Sequence, residues 1–324
     1  MLKQVQHDRL NTMKATRESY GEALVNLGKK YPELVVLDAE TKNSTYSEFF
    51  KKEFPDRFYD CFIAEQNMVG MAVGMARMGK IPFASTFAAF FTRAYDQIRM
   101  AGLGESNIKL VGSHAGVSIG EDGSSQMALE DLAMMRAVWN SVVLYPSDDV
   151  STEKLVEEMI RHRGLCYLRT TRAKTPSIYS PDESFPIGGF KIHETHNMKH
   201  ETEKRVTIIS AGITVHEALK AQEALKEEIA VDVIDLYSVK PINANALQKA
   251  VHQTEHIITV EDHWFEGGLG DAVLNVFAHH PTVIIEKLAV TSLPHSGSPE
   301  ENLRRAGIDV HAIIKTCRTM ADNY

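Results

Sequence analysis

The sequence predicts two consecutive doubly wound α/β domains with mostly parallel sheets. Three observations carry this expectation. Short apolar runs alternate with segments of helical period, a pattern that argues a parallel sheet with helices on both faces. The alternation breaks across residues 181–204 and then resumes. The chain has 324 residues, 44% hydrophobic and 24% charged, enough for two ordinary soluble domains with substantial cores. The expected organisation is an arm over 1–15, a first domain over 16–180, a linker over 181–204 and a second domain over 205–324.

From Thr16 the chain reads helix, turn, strand. Tyr20, Ala23, Leu24 and Leu27 fall at helical spacing, and Leu34–Leu37 is an apolar run suited to a buried parallel strand. Asp38 closes that run, at the strand end where ligands bind in open α/β sheets, and Ser44 follows in the same loop. Further strands are expected at Phe58–Ala64, Phe83–Phe87, Ile108–Gly112, Val142–Tyr145 and Leu165–Arg169. The intervening helices are Asn67–Met78, Phe90–Ala101, Met127–Ala137 and Thr152–Arg161. Pro181 to Lys204 is polar and rich in histidine without clear ligand spacing, and reads as a solvated linker.

The second unit repeats the alternation. Strands are expected at Val206–Ser210, Val231–Asp235, Ile257–Glu261 and Thr282–Leu288. Helices are expected at Thr214–Glu227, Ala244–His252 and Gly268–His279, with Thr214 and Glu217 spaced as in a capping box. GGLGDAV lacks the spacing of a dinucleotide fingerprint and reads as a tight turn into a helix.

Composition narrows the function. A net charge of −8 with no basic stripe disfavours nucleic acid. No apolar run approaches the ~20 residues of a membrane span, and the N-terminus is too polar for a secretory signal. Cys61, Cys166 and Cys317 form no CxxC pair and read as reduced, buried thiols of a cytoplasmic protein.

The chemistry concentrates between Phe62 and Gln126. Glu65 ends an apolar run and opens a helix-like stretch spaced by Gly70 and Gly74. Phe87 and Phe90 are three apart, with Arg93 three further on. His114, Glu121, Asp122 and Gln126 lie in a loop broken by Gly112, Gly116, Gly120 and Gly123, a density that marks tight turns or close approach to a ligand. Taken singly, each also fits an ordinary role: a carboxylate at a helix N-terminus, core aromatics, a buried histidine.

Jointly they match one family. FIAEQNM, STFAAFFTRAYDQIRM, GSHAGVSIGEDGSSQMALEDLAMMR and LRTTR resemble the pyrimidine-binding domain of transketolase. The resemblance continues through ATRESYGEAL and LDAETKNSTYSEFF before them and VEDHWFEGGLG after them, so it covers nearly the whole chain. It implies thiamine diphosphate as cofactor and reversible two-carbon ketol transfer between sugar phosphates as reaction. By motif, Glu65 is the glutamate that bonds the pyrimidine ring nitrogen, and Phe87, Phe90, Arg93 and Gln126 form the cofactor pocket. Arg17, Ser44, His114 and Arg172 match positions at the sugar phosphate end, and Asp122 the acid that contacts a sugar hydroxyl. Arginine suits a phosphate because its fork donates two hydrogen bonds at once. Arg169 reads as a structural arginine.

Single-chain members bind the diphosphate and its metal through GDG followed by asparagine, and this sequence has no such motif. EDG at 121–123 belongs to the substrate loop and GDA at 270–272 to the second domain. The resemblance therefore implies the C-terminal half of a split enzyme. A partner N-terminal subunit would supply the Mg²⁺ ligands, in an α2β2 assembly built on a dimer of this chain. Gly70 and Gly74 serve either that dimer contact or packing within the domain. Other readings are the beta subunit of a 2-oxo acid dehydrogenase decarboxylase, 1-deoxyxylulose-5-phosphate synthase, a split enzyme for an unusual ketose phosphate, and a non-catalytic subunit.

Overall fold

A computed structural model of the chain describes residues 13–195, 205–251 and 254–322. A two-stranded antiparallel ribbon joins β1 (Met13–Ala15) to β8 (Lys174–Pro176). The first sheet is built from β2 (Leu34–Asp38), β3 (Phe58–Asp60), β4 (Ile81–Phe87), β5 (Lys109–Ser113), β6 (Val142–Leu144) and β7 (Cys166–Arg169), all parallel. A seventh strand, β12 (Ser238–Lys240), pairs antiparallel with β6, giving the order β12-β6-β7-β5-β4-β2-β3. In the second sheet β10 (Arg205–Ser210), β11 (Ala230–Asp235), β13 (His256–Trp264) and β14 (Ile284–Val290) are parallel, and β9 (Lys191–His193) is an antiparallel edge. Its order is β14-β13-β10-β11-β9. The expected pair of α/β units with mostly parallel sheets is what the chain adopts.

Burial explains the apolar runs. Every residue of β2 is buried, because helices cover both faces of the sheet. Val35 and Leu37 join one core with Ala84, Leu110 and Val143, while Leu34 and Val36 face the other with Phe83, Val111 and Leu144. The first of these cores runs on into the second unit through Ile209, Ile234, Val239 and Leu247. Among the described residues no helix is long and apolar enough to cross a membrane, and Cys61, Cys166 and Cys317 are buried and unpaired.

Several boundaries differ from expectation for local reasons. The third strand ends at Asp60 instead of Ala64, because Phe62 turns left-handed (φ 53°). The following helix runs Glu65–Arg77 instead of Asn67–Met78, and Glu65 opens it as expected. Ahead of helix Tyr95–Leu103 the expected helix is a 3₁₀ stretch, Ala88–Ala94. The capping box at Thr214 does not form: the helix starts at Ile213, the Thr214 hydroxyl donates to the Ala211 and Val260 carbonyls, and Glu217 accepts from the Val310 amide. GGLGDAV is a turn into helix Leu269–Val276, as expected.

The solvated-linker reading needs correction. Phe185 is buried, and Lys191–His193 forms β9 against β11. Residues 196–204, with the rest of the histidine-rich tract, lie outside the described residues. Of the expected arm, 13–15 forms the ribbon and 1–12 lie outside the described residues. Gly70 and Gly74 face open space: a side-chain carbon added at either would meet no other atom of the described chain within 4 Å. Packing within the described chain therefore does not explain them.

Candidate active site

The carboxyl ends of β2, β4, β5 and β7 converge on a cavity of about 570 Å³. Its size is that of a small-molecule site, and its place is where open α/β sheets bind ligands. It is lined by Arg17, Ser44, Phe87, His114, Asp122, Gln126 and Arg172, together with Asn43 and Tyr46.

Each side chain has a local reason for its position. Asp38, at the end of β2, is fully buried and shapes the following loop. Its carboxylate accepts from the Thr41 amide (2.6 Å) and the Thr45 and Ser47 hydroxyls (2.8 and 2.9 Å). Burial still pushes its carboxyl up to about 6, against those hydrogen bonds. The loop presents the Ser44 carbonyl to Arg17 Nη1 (2.9 Å). Arg17, in the first turn of helix Thr16–Lys30, also places Nη1 3.4 Å from His114 Nε2.

His114 adopts a left-handed backbone (φ 57°) just beyond β5. Burial first, then Arg17 and Arg172, push its imidazole down to about 3, so it is neutral at physiological pH. A guanidinium only donates, so Nε2 serves as acceptor and Nδ1 donates to Ser113 Oγ at 3.0 Å. Arg172 reaches in after β7, with Nη1 3.1 Å from Asp122 Oδ1 and 3.2 Å from the Ile119 carbonyl.

Aromatic rings run from the cavity toward Glu65. His114 stacks on Phe87 (centroids 3.8 Å apart, planes at 12°), and Phe87 on Phe90 (5.2 Å, 13°). The Arg93 guanidinium lies 4.7 Å over Phe90 and donates to Glu65 Oε1 at 2.6 Å. Glu65 is 3% exposed and Arg93 51%, so the acid is the fixed member and the arginine the accessible one. Phe90, Arg93 and Glu65 thus stand outside the cavity lining but are joined to it by the stack. One end of the assembly is a buried carboxylate, the middle is aromatic, and the other end carries two arginines beside Asp122.

Arg169 is not part of the cavity. It is fully buried, pairs with Asp131 at 2.9 Å and donates to the Ala128 and Asp262 carbonyls, as a structural arginine does. Sequence reasoning missed Asn43 and Tyr46. Tyr46 turns left-handed (φ 61°), which carries its ring to 5.2 Å from the Arg17 guanidinium. The one hint in the sequence was Gly21, where a side-chain carbon would meet the Tyr46 carbonyl oxygen at 2.5 Å.

Residues 12–177 match the family profile of the transketolase pyrimidine-binding domain, and 195–313 that of the transketolase C-terminal domain. The chain belongs to the transketolase family. A transketolase from Rattus norvegicus is 52% identical over 307 residues, which is 94% of this chain and 48% of that protein. The human enzyme is 51% identical over the same length. The chain thus spans about half the length of the curated transketolases it matches. Among solved structures, one described as "Split gene transketolase, inactive beta4 tetramer" superposes with a TM-score of 0.86 at 36% identity. That match covers 95% of this chain and 99% of the other.

Proposed function

We propose that this chain is the catalytic-glutamate subunit of a split transketolase, which transfers a two-carbon ketol unit reversibly from a ketose phosphate to an aldose phosphate. The arrangement from Glu65 through the ring stack to Arg17 and Arg172 carries this reading. The residues suit thiamine diphosphate: Phe87 and Phe90 form an aromatic stack suited to a pyrimidine, and Arg93 joins that stack to the buried Glu65 carboxylate. When bound, that cofactor supplies a carbon nucleophile at thiazolium C2. With it bound, Glu65 would share a proton with the pyrimidine ring nitrogen, and Phe87, Phe90, Arg93 and Gln126 would hold the ring. Arg17 and Arg172 take the phosphate charge. Asp122 accepts from a sugar hydroxyl. Neutral His114 offers Nε2 as an acceptor, so the phosphate's charge falls to the arginines.

The diphosphate contacts and Mg²⁺ ligands belong, on this reading, to a partner chain. Similarity to a split-gene chain over nearly its full length supports this. A second copy of this chain packs against the helix bearing Gly70 and Gly74, at whose two ends Phe62, Ile63 and Met78 are 68%, 76% and 83% exposed. The three unpaired, buried cysteines agree with a reducing compartment such as the cytoplasm.

The test is transfer from xylulose 5-phosphate to ribose 5-phosphate with Mg²⁺ and thiamine diphosphate, by this chain alone and mixed with its candidate partner. Activity confined to the mixture is the expected result. Turnover by this chain alone overturns the partner assignment, and an inactive but stable complex overturns the choice of substrate.

A further inference from the structure

We infer that the second domain sets the position of the substrate loop, and that Asp262 is the residue through which it does so. The inference rests on the reading of the 570 Å³ cavity as the sugar phosphate site. The loop is divided between two environments. His114, Asp122 and Gln126 line the cavity. Val117, Ile119, Met127 and Leu129 instead pack into the core of the second domain with Val206, Ile208, Val260 and Leu303.

Asp262 sits where the polar and apolar halves of the loop meet. Its Oδ1 accepts from the Val117 amide at 2.6 Å and its Oδ2 lies 3.4 Å from the Ser118 amide. Its own carbonyl accepts from Arg169 Nη2 at 2.8 Å, which ties it to the first sheet. The register of β13 against β14 breaks between Val260 and Trp264. Such irregularities re-aim side chains beside a site, and Asp262 lies within this stretch.

The loop is cut to receive this carboxylate. Gly116 has φ 83°, and a side-chain carbon there would stand 2.0 Å from Asp262 Oδ2. Gly120 and Gly123 turn against Gly297, Pro299 and Ser296 of the same domain. Asn302 Nδ2 lies 3.4 Å from the Val117 carbonyl, so the second domain holds the Val117 backbone by its amide and its carbonyl alike. His114 is only three residues from the anchored amide, and Arg172 bonds the Ile119 carbonyl two residues beyond it. A shift of Val117 therefore moves the histidine and one arginine together. The Asp262 carboxylate bonds the loop at Val117 and Ser118, neither of which lines the cavity, which makes it a positioning residue.

The variant Asp262→Asn keeps the shape but turns an acceptor facing two amides into a group that presents N–H to an N–H. With the assembled enzyme, KM for both sugar phosphates is expected to rise up to about tenfold, the scale of one hydrogen bond. In the same assay kcat should stay within about twofold, since the lost interaction lies in binding and not in the chemical step. Gly116→Ala, which displaces the same loop from its own side, should give the same split. Hydrogen exchange on the full chain reads the loop without any assay. The Val117 and Ser118 amides should lose protection in Asp262→Asn, while Val111 in β5 keeps it.

Unchanged KM, or unchanged protection at Val117 and Ser118, overturns the inference. So does a fall in kcat that merely tracks a lowered melting temperature, because that is the signature of a general structural role. A wild-type enzyme without sugar phosphate turnover sinks the proposed function instead, and the exchange measurement then decides the loop anchor alone.

Discussion

At the scale of single residues, the site works by making neighbours inequivalent. Glu65 is buried and tied, whereas Arg93 beside it is half exposed. Glu65→Gln in the assembled enzyme is expected to lower turnover by the ~10²–10⁴ of acid–base groups, with the circular dichroism spectrum unchanged; near-normal turnover rejects the role. Asp235 offers a test away from the site. It is fully buried, accepts from Ser147 and Tyr179, and burial pushes its carboxyl up to about 7. Its folded pKa lies above the unfolded value near 3.8, so the folded state binds the proton more tightly. Stability from this group is therefore full below about pH 4 and falls by up to about 1.4 kcal/mol per unit until pH 7. Asp235→Asn should remove that slope. Denaturant midpoints of both proteins between pH 4 and 8 measure it, and parallel curves contradict it. The residue types of the site could be read from motif spacing, but the neutrality of His114 could not, since it comes from burial and from two arginines distant in sequence.

At the scale of elements, helices and strands were legible wherever burial matched local pattern. Leu34–Asp38 reads as a buried parallel strand because both of its faces are covered. Helix Thr16–Lys30 followed its apolar spacing for the same reason. Illegible elements are those whose partners lie far along the chain. β9 and β12 are three residues each and exist because β11 and β6 offer free edges. Gly21 illustrates the conflict between local preference and tertiary demand. Alanine is the better helix former by about 1 kcal/mol, yet at Gly21 its side chain would press on the Tyr46 backbone at 2.5 Å. Overpacking of this kind costs about 1–3 kcal/mol. Gly21→Ala is expected to lower the melting temperature by up to about 3 °C and to raise KM for sugar phosphates, because Tyr46 underlies Arg17. A stabilised variant with normal KM contradicts this.

At the scale of the whole molecule, the two α/β units are not separable. β12 comes from the second half of the sequence and completes the first sheet, and one apolar core runs through both units. Arg136 donates to the Gly268 carbonyl at 2.7 Å and Lys240 to the Val138 carbonyl at 2.6 Å, each bond joining the halves. The chain should therefore unfold as one unit. Calorimetry should give a single transition with matching calorimetric and van't Hoff enthalpies; two resolved transitions would show that the shared strand and core do not couple the halves.

The sequence by itself determined the fold class and the family, and named the residue types of the candidate site. These depend on periodicity and on motifs of consecutive residues, and both are local. Only the tertiary structure decided which residues meet. The stack of His114, Phe87 and Phe90, the bond from Arg93 to Glu65, the turn of Tyr46 beneath Arg17 and the grip of Asp262 on the substrate loop join residues from 3 to 145 positions apart. Such contacts arise when sheets stack and cores close, and no local pattern encodes the distance at which two side chains come to rest.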